Sequence, residues 1–66
     1  MPKSGEQVLK LYLQAGWSVL GQKGSHVRVG KGPLRETIPM HKELALGLER
    51  KLMKRLAQAE GSTEDP

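Results

Sequence analysis

Apolar residues recur at two different spacings along this chain, and the spacing changes at glycines. Val8/Tyr12, Leu9/Leu13 and Leu11/Ala15 stand four residues apart, the interval that stacks side chains on one helix face. Ser4 supplies an N-cap, and Gln7, three residues on, completes a capping box. The pattern predicts a helix over residues 4–15, with Gly16 at the position where glycine ends helices.

From Trp17 the period shortens. Trp17–Gln22 is rich in strand formers, and Lys23-Gly24 offers a tight turn. Ser25-His26-Val27-Arg28-Val29 alternates, sending Val27 and Val29 one way and His26 and Arg28 the other. Gly30–Pro33 reads as a second turn, and Leu34–Ile38 as a third strand stopped by Pro39. Leu44, Leu48, Leu52 and Leu56 then recur every four residues, placing a second helix between Glu43 and Glu60. No Ser, Thr, Asp or Asn stands before it as a cap, so its start is left open.

The expected fold is α+β, in the order α-β-β-β-α. Short connections make the strands an antiparallel meander. Laying both helices on one sheet face buries Val27 and Val29 and leaves His26 and Arg28 on the open face. The expected domain is residues 1–59, followed by a polar, disordered tail over residues 60–66.

Composition narrows the function. The 66 residues contain no Cys and only two His, so neither a disulfide scaffold nor a structural zinc site is expected. Neither a signal peptide nor a transmembrane segment is expected, and the absence of Cys fits a cytoplasmic protein. Eleven Lys and Arg stand against seven Asp and Glu. Three of those acids (Glu60, Glu64, Asp65) lie in the tail, so residues 1–59 carry eleven bases and four acids, a net +7. Such a body attracts polyanions, nucleic acid first and an acidic protein surface second. Tyr12 and Trp17 are the only aromatics, too few for a base-stacking platform.

His26 is the candidate for chemistry. It follows a glycine turn on the open face, with Lys23, Arg28 and Arg35 expected within reach. Imidazole moves a proton near neutral pH, and cations hold a phosphate and stabilise charge growing on it. The plainer reading, a surface histidine among solvated bases, is favoured while these residues stand alone. His41, in Pro39-Met40-His41-Lys42, reads as a loop residue making a local hydrogen bond. The basic run Glu49–Arg55 reads at least as readily as a solvated helix face as a phosphate contact.

Ala15-Gly16-Trp17 through Gln22-Lys23-Gly24-Ser25-His26, continued by Thr37–Leu44 and Gly47–Leu52, resembles the HicA (YcfA-like) mRNA interferase toxins. The likeness covers nearly all of residues 4–59. It implies a double-stranded-RNA-binding-like fold, metal-free cleavage of mRNA without a cofactor, and inhibition by a HicB-like antitoxin. It places the catalytic histidine at His26. From their places around that histidine, Lys23, Ser25, Arg28 and Arg35 are the expected RNA and phosphate ligands. Val27 and Leu48 depart from what many relatives carry, and neither departure touches His26. The route expected without a metal is attack of a ribose 2′-hydroxyl on the adjacent phosphate, with His26 as general base. The leaving-group proton is left open among water, Lys23 and the same His. The rival is a non-catalytic RNA-binding module of the same fold, which would have no need of His26.

Overall fold

The computed structural model describes residues 3–61. Helix α1 spans Gly5–Gln14, strands β1 Ser18–Lys23, β2 His26–Lys31 and β3 Leu34–Pro39, and helix α2 Leu46–Gly61. The strands form one antiparallel sheet in the order β1-β2-β3.

The capping box forms as the sequence predicts. The Gln7 amide donates to Ser4 Oγ at 3.1 Å, and the Ser4 amide donates back to Gln7 Oε1 at 2.9 Å. Two orphan N–H groups of the first turn are thereby satisfied. Gly16 follows the helix at φ +95°, a conformation costly for any residue with a Cβ. The Lys31 ammonium donates to the Ala15 carbonyl at 2.7 Å and so closes the helix end that has no base of its own.

Both hairpins turn in two residues, Gly24-Ser25 and Gly32-Pro33. The first residue of each is a glycine at positive φ, +59° and +58°, as turns matching the strand twist require. β2 therefore runs through Gly30 and Lys31, which the sequence places in a turn. β1 begins one residue later than expected and carries an irregularity between Val19 and Gly21 that leaves Leu20 outside the pairing.

One face of the sheet is covered at β2 and β3, while every residue of β1 is exposed. Val27, Val29 and Ile38 are buried against Val8 and Tyr12 of α1 and Leu52 and Leu56 of α2, so both helices cover this face. Tyr12 and Trp17 meet edge to face, with ring centres 4.8 Å apart. The Tyr12 hydroxyl donates to the Leu52 carbonyl and pins one helix to the other. Truncating a side chain as enclosed as Leu52 costs about 2–5 kcal/mol in proteins generally. Burial, reinforced by the nearby Glu36 carboxylate and partly opposed by Arg55, pushes the Tyr12 hydroxyl up to about 12.

α2 starts at Leu46 without a capping side chain. Its first-turn acid, Glu49, is used differently: it accepts the Lys3 backbone amide at 3.0 Å and pairs with the Lys3 ammonium at 3.7 Å. The helix continues to Gly61, and the rest of the expected tail lies outside the described residues.

Candidate functional site

His26 is the first residue of β2, exposed and immediately after the Gly24-Ser25 turn. Alternation puts it on the face away from the helices, because its neighbour Val27 is buried. The register places Lys23 directly opposite it on β1 and Pro39 opposite it on β3. The next row across the same face is Gly21, Arg28 and Thr37. Gly21 has nothing within 4 Å of where a Cβ would stand, so the flank of Arg28 is open. A histidine and two cations thus border one exposed patch at the mouth of the first hairpin. Ser25 lies in the turn itself, its carbonyl accepting from the Met40 amide at 2.6 Å.

Arg35 is not part of this cluster. It pairs with Gly30, four residues from His26 along β2, or roughly 13 Å at strand rise. Its guanidinium folds back onto the carbonyls of Gly32 and Leu34 at 2.7 and 2.8 Å. A Cβ on Gly30 would meet Leu20 at 2.9 Å and the Arg35 side chain at 3.0 Å, so these two side chains close over that glycine.

The structure adds a residue that the sequence reading leaves in a loop. His41 stands beside His26, with ring centres 6.4 Å apart and planes inclined at 58°. Three backbone bonds set this approach. The Met40 amide donates to the Ser25 carbonyl, the Gly5 amide to the His41 carbonyl at 2.9 Å, and the Leu44 amide to the Lys3 carbonyl at 2.9 Å. Glycine at position 5 is what lets the loop lie so close. A Cβ there would come within 1.9 Å of the Pro39 carbonyl oxygen. The sequence reading holds no signal for this contact, since it places His26 on a strand and His41 in a loop fifteen residues further on.

A cleft of about 440 Å³ opens beside His41, lined by Leu9, Val27 and Met40 together with Gln22, Glu6 and Lys42. Such a mixed apolar and polar lining suits a ligand with both kinds of surface. At the opposite end of the sheet a second groove, of about 400 Å³, lies between β3 and α2, lined by Arg35, Lys51, Lys54 and Arg55 around Glu36. Arg55 Nε reaches Glu36 Oε2 at 3.7 Å, and its Nη2 donates to the Arg35 carbonyl at 3.4 Å. Among the described residues no three His, Cys, Asp or Glu side chains gather as a metal site requires, and no helix is long and apolar enough to cross a membrane.

The fold and site together define a small, basic α-β-β-β-α domain with an exposed histidine among cations at a hairpin mouth. The family model described as the HicA toxin of bacterial toxin–antitoxin systems matches residues 5–59, nearly the whole described chain. The chain belongs to the HicA toxin family. No curated protein and no solved structure gives a significant match.

Proposed function

We propose that this toxin is a metal-independent endoribonuclease that cleaves mRNA in the cytoplasm and is held in check by a HicB-like antitoxin. The observation that carries the reading is His26 itself, exposed at the strand start, opposite Lys23 and one row from Arg28. Membership of the HicA toxin family supports it. In the proposed reaction a ribose 2′-hydroxyl gives its proton to His26 and attacks the adjacent phosphorus. The O2′–P bond forms and the P–O5′ bond breaks, leaving a 2′,3′-cyclic phosphate and a 5′-hydroxyl end. Lys23 and Arg28 hold the non-bridging oxygens and stabilise the charge that grows on them. Ser25 adds a hydroxyl at the turn, and Arg35 extends the positive face along the path of the strand.

The rival reading, an RNA-binding module without catalysis, shares the basic face and differs in one outcome. RNA incubated with the purified protein in excess EDTA is expected to fragment, and His26→Ala is expected to abolish the fragments while leaving the fold intact. Substitution at an exposed strand position changes stability by less than about 0.5 kcal/mol. Tight binding without fragments, unchanged by His26→Ala, establishes the module instead.

A further inference from the structure

If His26 is the base, the reaction still lacks an acid. The departing O5′ is a poor leaving group unless it is protonated as the P–O bond breaks. In-line displacement puts the entering and leaving oxygens on opposite sides of phosphorus. The acid must therefore face the base across the phosphate, not share its side.

We propose that His41 is the general acid of this site, so that the two histidines form an acid–base pair around one phosphodiester. The inference rests on the nuclease reading above and supplies the step that reading leaves open. The ring-centre separation of 6.4 Å and the 58° inclination leave a wedge between the imidazoles, open to solvent because both residues are exposed. Effective proton transfer needs each nitrogen within about 2.6–3.2 Å of its oxygen, and a phosphate held between the rings brings its bridging oxygens toward both. Neither imidazole is committed to another side chain among the described residues. The charged groups around the pair are Lys23 across the ladder from His26, Arg28 in the next row, and Glu6 and Lys42, which line the cleft with His41.

Placement by the main chain sets His41 apart from a loop residue that happens to lie near. Its carbonyl is tied to α1 through the Gly5 amide, and the preceding amide is tied to the turn that carries His26. One backbone network thus fixes where the two histidines leave the main chain, and with it the distance over which their rings can meet a shared phosphate. His41 also lines the cleft, whose apolar lining residues Leu9 and Met40 can meet the base of the nucleoside whose O5′ departs. In the step itself, His26 accepts the 2′-hydroxyl proton and becomes cationic. Protonated His41 gives its proton to O5′ and becomes neutral. Exchange with water restores both.

The test uses a leaving group that needs no proton. On ordinary RNA, His41→Ala is expected to slow cleavage by about 10²–10⁴-fold, the usual worth of a positioned acid. On a substrate whose scissile 5′-oxygen is replaced by sulfur, a thiolate leaves unaided. There His41→Ala should recover to near the wild-type rate, while His26→Ala stays slow. His41→Asn, which keeps a polar group at the site, should behave as His41→Ala does. Three outcomes overturn the assignment: His41→Ala as active as wild type on RNA, a loss that the thio substrate does not restore, or rescue of His26→Ala instead. A wild-type protein that binds RNA and cleaves neither substrate overturns the nuclease reading and this inference with it.

Discussion

The Met40 amide donates to the Ser25 carbonyl at 2.6 Å, joining the hairpin that presents His26 to the loop that presents His41. Neither residue contributes its side chain to this bond. Sequence positions fifteen apart are brought together by backbone geometry, so the site depends on whatever lets the loop approach.

Gly5 is where that dependence can be measured. A Cβ at this position collides with backbone, which cannot step aside as a flexible side chain can. Gly5→Ala is expected to lower stability by about 1–3 kcal/mol, the common cost of forcing atoms into a packed region. Gly47, in the first turn of α2 with nothing within 4 Å of its Cβ position, provides the contrast. Gly47→Ala should gain up to about 1 kcal/mol from helix propensity. Chemical denaturation of the two variants checks both signs, and a Gly5→Ala protein as stable as wild type would show that the loop does not rest on the helix as described.

Tyr12 offers a spectroscopic reporter, because the chain has a single tyrosine. Its hydroxyl is raised from 10 to about 12, so the folded state keeps its proton where the unfolded state has lost it. Stability is therefore undiminished by this group below pH 10 and falls as pH rises from 10 toward 12. Absorbance titration near 295 nm should show tyrosinate forming well above the ordinary range. Tyr12→Phe should cost about 0.5–1.5 kcal/mol through the lost bond to Leu52. A midpoint near 10 in the folded protein contradicts the burial.

RNA affinity is expected to fall steeply with salt, by roughly 0.7 log units per log unit of salt for each phosphate neutralised on a single strand. Lys23→Ala and Arg28→Ala should each remove about one such increment and also slow cleavage. Lys54→Ala, in the far groove, should leave the cleavage rate at saturating RNA unchanged. Filter binding over a salt series, paired with single-turnover rates, separates the sites. A flat salt response, or equal tolerance at all three, rejects the proposed map.

An antitoxin that silences this domain by masking should be acidic where it covers the open sheet face. A standard stable interface buries about 800 Å² per partner, ample to hide Lys23, His26 and Arg28 together. NMR shift mapping on the complex should report changes across residues 21–28 and around His41, and RNA should compete for the same residues. Shifts confined to α2 with the nuclease silent would point to inhibition at a distance.

Much of the architecture was readable from short-range physics. The Ser4–Gln7 capping box, the Val27/Val29 alternation and the four-residue leucine period are local signals, and each element they predict is present. The boundaries that shifted did so for tertiary reasons. Gly30 looks like a turn residue but sits inside β2, where Leu20 and Arg35 close over it. α2 begins without a capping side chain, and its first-turn Glu49 instead accepts from a distant partner, the Lys3 amide. The position of His26 followed from alternation alone. The proximity of His41 did not, since it arises from bonds between main-chain groups whose side-chain identity carries no mark.

The slipped pairing at Leu20 bears on how the molecule avoids its own copies. β1 is an outer strand with Val19 and Leu20 about half exposed, at 50% and 49%, the kind of rim onto which another chain can add a strand. The bulge breaks the regular succession of amides and carbonyls midway along that rim and increases its local twist. A second molecule could match only one half of the strand before falling out of step. The same irregularity that spoils the ladder thus works against edge-to-edge stacking of copies into fibres.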